Sequence, residues 1–401
     1  MFKPSKSKVF TLILILILFC FVEITAFIFL LILSKTHNLK YIPINDRYLT
    51  GNQVLILENI LENKMTYNSF DALLGWSVQK NGYKNKYMFA NSQGLRANRE
   101  YTFKKPENIL RILCFGDSFT HGEGVTNAST WPAFLEKSKN VEALNFGVAG
   151  GGSDMAYLRY LRDGSAYEAD IVILGIMTEN IGRHVMTFWP YYQSFYGLSS
   201  APHVIPKPRY VIKDNKLSLI KPFLQTKEDI RNFKNDPAKY LPLIGQNDFY
   251  YNKKYKIGFF DFLPSFRLAK VLYHNLKHKN TIRMCYYKET SEAVQITYKI
   301  IDSFVKDVKR NGNLPILLML PAESDIEDSR QKKPRGCQHI LDYLQKNNYP
   351  HIDFTNYLEQ HASHIPLDQL IQGHYSPVTN KLVAQAILTY VMDLLKPTGV
   401  K

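Results

Sequence analysis

Five short apolar runs alternating with helix-compatible stretches place this 401-residue chain in the doubly wound α/β class. Three observations predict it. The runs are apolar throughout rather than at every second residue, as in parallel strands buried on both faces. Each meets a turn containing Gly, Pro or Asn. The stretches between them carry helical periodicity. In this class chemistry is expected at the C-terminal ends of the strands.

The first element is not part of that sheet. Val9 to Leu33 (VFTLILILILFCFVEITAFIFLLIL) is almost unbroken apolar sequence, about 37 Å long as a helix and enough to cross a ~30 Å hydrocarbon layer with some tilt. Lys3, Lys6 and Lys8 precede it with no acid among them, so the positive-inside rule puts the N-terminus in the cytoplasm and the rest outside. A cleavable signal is the competing reading. Its apolar region is usually about 7–15 residues and ends in a small-x-small site, for which Ser34-Lys35-Thr36 is a poor substitute. An uncleaved single-pass anchor is expected. Glu23 sits mid-span, where it must be protonated, paired or placed at a helix contact.

Residues 34–105 read as a stem and extended segment, with LLGWSVQKNGY (73–83) and ANSQGLRANREY (90–101) as short strands or loops. The βα rhythm then begins with ILRILCFG (109–116) and a helix-compatible stretch through WPAFLEKS (131–138). It continues with VEALNFGVAGGG (141–152), the helical MAYLRYLRDG (155–164) and ADIVILGIM (169–177). It resumes with the amphipathic helix ITYKIIDSFVKDVKRNG (296–312), the strand LPILLMLP (314–321) and the helix CQHILDYLQKNN (337–348). HIDFTN (351–356) is the fifth strand, and NKLVAQAILTYVMDLLK (380–396) the closing helix. The expected organisation is a cytoplasmic N-terminus (1–8), an anchor (9–33), the stem (34–105), a first α/β part (106–182), an insertion (183–295) and a second α/β part (296–401).

The charge is concentrated in that insertion. The chain carries a net +15, and residues 201–290 hold 18 Lys+Arg against 7 Asp+Glu, so +11 of it lies there. The insertion is also aromatic, with Phe188, Trp189, Tyr191, Tyr192, Phe195, Tyr196, Phe249, Tyr250, Tyr251, Tyr255, Phe259 and Phe260. A solvated face, an anionic-glycan surface and contact with anionic lipid head groups all suit this composition. A domain outside the cytoplasm does not meet chromosomal DNA, so nucleic acid is excluded as a partner. Four Cys in 401 residues are not a disulfide framework. Cys20 lies in the span and Cys114 in a strand, which leaves Cys285 and Cys337 as the one pair the compartment permits to bridge; spacing does not establish it.

Three strand ends and one later segment carry reactive residues. The first reads Gly116-Asp117-Ser118-Phe119-Thr120, the second Asn145-Phe146-Gly147-Val148-Ala149-Gly150 and the third Thr178-Glu179-Asn180; Gly373-His374-Tyr375-Ser376-Pro377 precedes the last helix. A serine at a helix N-terminus is placed to act as a nucleophile if a histidine reaches it. Free backbone N–H groups there stabilise developing negative charge. Gly150 lets its N–H approach an oxyanion, the Asn180 amide can donate to the same oxygen, and His374 is the proton carrier. Asp117 reads as a turn-fixing residue and His121 as an ordinary helix residue. Arg183 reads either as a substrate-carboxylate ligand or as an ion-pair partner. The His and Cys residues show no metal-ligand spacing, and Gly150-Gly151-Gly152 lacks the Lys-Ser/Thr of a phosphate loop; no metal and no cofactor is implied.

FGDSFT (115–120), NFGVAG (145–150), TEN (178–180) and GHYSP (373–377) resemble, in order and in element, the blocks of the SGNH or GDSL hydrolase superfamily. The resemblance implies a flavodoxin-like three-layer fold and a serine esterase or acyltransferase. It assigns Ser118 as nucleophile, His374 as base, and the Ser118 N–H, Gly150 and Asn180 as oxyanion hole. The anchor and the LGW…NSQGLR stem are similar to envelope members, including bacterial polysaccharide O-acetyltransferases, which implies O-acyl groups of a cell-envelope or exported glycan as substrate. Two departures stand out. The acid usually found two or three residues before the histidine is replaced by Gln372 and Ile371, leaving Asp368 as the expected third member and Asp353 as its rival. The third block has Glu179-Asn180 where Asn-Asp is usual, so a shift of one residue would put Glu179 in place of Asn180. An inactive glycan-binding scaffold and a lipid esterase remain alternatives.

Overall fold

The computed structural model describes residues 6–35, 49–85, 87–192 and 203–395. Lys3, Thr36, Phe195 and Tyr196, singled out above, lie outside them.

The apolar N-terminal run is one helix, α1 (Lys6–Lys35). After it, Gly51–Leu61 forms a helix started by a capping box of Thr50 and Gln53. An antiparallel hairpin follows, pairing Asn68–Asp71 with Gly75–Val78. This stem is not a spacer. Trp76, Leu74 and Leu95 are fully buried and share one apolar cluster with the sheet.

The sheet has five strands: β1 (Leu110–Phe115), β2 (Val141–Asn145), β3 (Ile171–Met177), β4 (Leu314–Leu320) and β5 (His351–Asp353). Their spatial order is β2-β1-β3-β4-β5, and every neighbouring pair is parallel. That is the flavodoxin-like 2-1-3-4-5 order, whose reversal of direction between β1 and β3 opens a crevice at their C-terminal ends. The registers Cys114↔Asn145 and Phe115↔Leu174 end β1 and β2 within a residue of each other, while β3 runs three residues further, to Met177.

The unbroken apolarity of the strands has the expected cause. Side chains alternate between faces: Leu113, Phe115, Val172, Leu174, Leu317 and Met319 pack on one side, and Ile112, Cys114, Ile171, Ile173, Ile316 and Leu318 on the other. The first face is covered by α3 (Ser153–Arg162) and α5 (Glu292–Arg310), the second by the C-terminal helix α6 (Pro377–Leu395). A four-residue helix, α2 (Ser118–His121), follows β1 directly.

The insertion includes an antiparallel hairpin (Arg209–Lys213 with Lys216–Ile220) and a long helix, α4 (Pro264–Tyr287), which packs along α1. Its aromatic residues are mostly core rather than surface. Phe188, Trp189, Tyr191, Tyr192, Tyr250, Tyr251 and Tyr255 are buried, because the segment folds back on the first face of the sheet. Part of its basic charge is internal too: Lys207 is fully buried against the Asp154 carboxylate. Cys285 and Cys337 are each buried and free, with no bridge between them.

Candidate active site

The turn after β1 is built by Asp117, whose carboxylate caps α2 by accepting from the Phe119 N–H at 2.9 Å. Ser118 is therefore the first helical residue, where the N–H has no intrahelical acceptor. Ser118 is buried to 6% exposure at the mouth of the β1/β3 crevice. Asn180 enters from the short 3-10 segment after β3 (Thr178–Val185), and its side-chain amide donates to the other Asp117 carboxylate oxygen. An amide carries two N–H donors, so one remains for a ligand. Asn180 is buried while Glu179 is exposed, so the former faces the crevice. Burial pushes the Asp117 carboxyl above the usual range, opposed by Arg183, the Asn180 amide and the Phe119 N–H.

The loop after β2 is fixed by its carbonyls. Arg159 donates to Phe146 O at 2.7 Å, Trp76 Nε1 to Ala149 O at 2.9 Å, Trp189 Nε1 to Gly150 O at 3.0 Å and Arg183 Nη1 to Gly151 O at 3.0 Å. Gly150 has φ +80°, a left-handed conformation that side chains disfavour. Among the described residues its N–H has no backbone acceptor. The His203 imidazole occupies the space where a Gly150 Cβ would stand. That ring is held between Trp76 and Trp189, at centroid distances of 5.1 and 5.0 Å. Burial, with Arg183 nearby, lowers His203 to about 3. It is a neutral spacer.

His374 arrives on a two-residue hairpin (Ile371–Gln372 with His374–Tyr375) that reverses at Gly373, and its ring packs on Phe119 with centroids 4.9 Å apart. Among the described residues no hydrogen bond joins it to Ser118. Burial lowers its pKa; Glu123 is the strongest opposing influence and Asp117 the next. Glu123 follows α2, its N–H donating to Ser118 O at 2.9 Å and its carboxylate accepting from Lys84 at 3.0 Å.

The expected third member is elsewhere. Asp368 is exposed in the short helix Leu367–Leu370, and no hydrogen bond or ion pair between described residues joins it to His374. The reversal at Gly373 runs the preceding segment antiparallel to His374 and leads Asp368 into solvent. Asp353 is occupied by a two-pronged ion pair with Arg335, at 2.6 and 2.8 Å. The carboxylate whose charge acts most on His374 is Glu123, which also lies 3.5 Å from His121 Nδ1; sequence reasoning did not single it out although it lies only five residues beyond Ser118, between two glycines.

Arg183 stands at the edge of the site. Its guanidinium lies 4.8 Å from the Trp189 ring centre and binds Gly151 O, and its charge acts on both Asp117 and His374. His121 is fully buried and bonded to the Tyr67 hydroxyl at 2.7 Å. Burial lowers its pKa well below the ordinary value. No cluster of His, Cys, Asp and Glu among the described residues is arranged to hold a metal ion.

No family model matches the chain, and no curated protein matches it. Among solved structures it is similar to a member of the lipolytic protein G-D-S-L family from Veillonella parvula. Identity is 12% and the TM-score 0.36, over 70% of this chain and 97% of that one. It is also similar to the lipase/acylhydrolase from Enterococcus faecalis, with 12% identity and a TM-score of 0.36 over 72% and 98% of the two chains. A catalytic mutant of an acetylxylan esterase from Geobacillus stearothermophilus shares 13% identity, with a TM-score of 0.34 over 70% and 94%.

Proposed function

We propose that this chain is an SGNH-type serine enzyme that cleaves or transfers O-acyl groups, held to a membrane by α1 with its α/β domain on the extracytoplasmic side. What supports the reading is Ser118 at the helix start after β1, the Asn180 amide on the neighbouring Asp117, and a left-handed Gly150 in a loop tied to the end of β1 by the Val148 N–H on Gly116 O at 3.0 Å; the N–H groups of Ser118 and Gly150 and the Asn180 amide are assigned as the three donors. Ser118 Oγ attacks the ester carbonyl carbon as its proton passes to His374. The carbonyl oxygen becomes an oxyanion held by the three donors. His374 returns the proton to the leaving alkoxide, and the acyl group stays on Ser118 until water or a sugar hydroxyl removes it by the reverse steps. Direct Ser–His hydrogen bonds often form only in the substrate complex, so the open geometry suits this chemistry. Glu123, rather than Asp368, is assigned as the carboxylate that favours protonated His374. Arg183 carries the positive charge that meets an anionic substrate group, and the substrate class is an acylated envelope or exported glycan.

A second reading is an inactive glycan-binding scaffold, favoured by the lack, among the described residues, of any carboxylate hydrogen-bonded to His374. One experiment separates the two. The full-length protein in detergent is offered an activated acetyl ester, with and without glycan acceptor, alongside a serine-directed fluorophosphonate. Labelling and turnover that vanish in Ser118→Ala support the enzyme, and acceptor acetylation above hydrolysis identifies a transferase. Glycan binding without labelling or turnover supports the scaffold.

A further inference from the structure

Glu23, the one acid in the apolar run of α1, is not left alone. The Ser265 N–H donates to one of its oxygens at 2.9 Å and the Ser265 hydroxyl to the other at 2.5 Å. Ser265 is the second residue of α4. The contact is one end of a continuous seam, because four of the five less exposed positions of α1, Glu23, Ala26, Leu30 and Leu33 but not Thr25, fall on one helical face, and α1 packs along α4.

Ten residues separate Glu23 from Leu33, about 15 Å of helix and half of a ~30 Å hydrocarbon layer. If α1 spans the bilayer with Leu33 at its outer surface, Ser265 stands near the midplane. The segment that carries it is apolar and uncovered. Phe259 is 85% exposed and Phe262 71%, and Ile257, Phe260 and Phe266 are exposed beside them. A patch of this size on a soluble surface marks a binding face. Its charges are internally matched: Lys270 pairs with Asp261 at 2.8 Å, Arg267 acts on the same carboxylate, and Glu23 supplies the second acid. Two acids and two bases sum to zero, the condition under which ionisable groups are tolerated at membrane depth. Twelve residues beyond Ser265 along α4, about 18 Å, Lys277 reaches the level of the phosphates.

We propose that residues 257–272 form a re-entrant wedge sunk into the outer leaflet of a phospholipid bilayer beside α1. The occupant of the exposed aromatic face is lipid acyl chain. The proposal rests on the reading of α1 as an uncleaved anchor and is independent of the chemistry at Ser118. The far end of α4 packs by Cys285 against Gly182, two residues from Asn180. The wedge therefore fixes the height of the site above the membrane.

The test uses the full chain with an N-terminal epitope in phosphatidylethanolamine–phosphatidylglycerol vesicles. Phe262→Trp, and separately Phe259→Trp, adds an indole at a position outside the core, while the native Trp76, Trp131 and Trp189 are buried in the domain. The expected result is added blue-shifted emission that is lost when the lipids are brominated at mid-chain. Epitope loss shows that α1 is cleaved and overturns the anchor together with the wedge. A retained epitope with added emission quenched by aqueous acrylamide but not by brominated lipid overturns the wedge and leaves the anchor standing. Emission shielded from both quenchers means a protein surface covers the face, and also overturns the wedge.

Discussion

Replacing Gly150 with Ala tests whether the loop after β2 is a rigid oxyanion device. The new Cβ would lie 2.8 Å from His203 Cδ2 and 3.1 Å from its Cε1, and closer still to Nε2, so something must move. The imidazole cannot swing away, because Trp76 and Trp189 flank it and both indoles are tied to the carbonyls of the same loop. The backbone cannot relax cheaply either: φ is +80°, and a left-handed alanine costs roughly 1–2 kcal/mol. Overpacking adds about 1–3 kcal/mol, so the expected loss of stability is about 2–5 kcal/mol by denaturant titration. Displacement of one oxyanion donor should lower kcat about 10²–10³-fold on an activated ester. In the Gly150→Ala background, His203→Ala removes the clash but not the φ strain, so stability should recover in part. A Gly150→Ala protein of unchanged stability and kcat would show that the loop yields, and would refute the reasoning.

Three further outcomes follow from the charges. Burial lowers the pKa of His374 and Glu123 raises it, so base activity is present above that pKa and is lost as pH falls through it. Glu123→Gln removes the raising influence and should move the acid limb of the kcat/KM profile to lower pH, whereas a purely structural role would change amplitude without moving the limb. Asp368→Asn should leave kcat/KM within about two-fold, since the residue is exposed and makes no bond to His374, the profile of an ordinary surface substitution. His184 is fully buried, hydrogen-bonded through Nδ1 to Thr297 at 2.9 Å, and burial lowers it to about 4. Its folded pKa lies below its unfolded value, so its contribution is whole above about pH 6.5 and is lost as pH falls toward 4. That amounts to about 3 kcal/mol, which urea titrations across the window in wild type and His184→Gln should resolve.

The parts of the fold legible in the sequence are those whose cause is local. Ile112 and Leu113 had to be buried on opposite faces because both are apolar in one short run, and that alone signals a parallel strand under two layers. The positions of Ser118 and Asn180 after β1 and β3 were legible because each sits within a few residues of a strand end. Glu123 was not, because its charge acts on a His374 that lies some 250 residues away in the chain. Asp368 misled for the converse reason. Proximity in sequence to His374 became distance in space once the chain reversed at Gly373. The aromatic insertion misled through composition. Tyr191, Tyr250 and Tyr255 have the residue types of a sugar-stacking surface, and only the packing of the insertion on the sheet shows that they are core.

The same packing changes what the insertion is for. The carbonyls that orient the Gly150 loop are held by Trp76 from the stem, Arg159 from α3, and Arg183 and Trp189 from the start of the insertion. His203, also from the insertion, fills the space behind Gly150. None of these donors lies within the strand–turn blocks that carry Ser118 and His374. Hydrogen bonds to a loop carbonyl turn the adjoining N–H the other way, so the direction in which the Gly150 N–H points is set by residues far from it in sequence. Removing the insertion would leave Ser118 on its helix but release the loop opposite it. The insertion also carries α4, which meets α1 at Glu23 and the Asn180 segment at Gly182. One inserted stretch thus helps orient the loop that carries Gly150 and links it to α1, so a displacement of α4 at Ser265 should be felt at Asn180 before it is felt at Ser118.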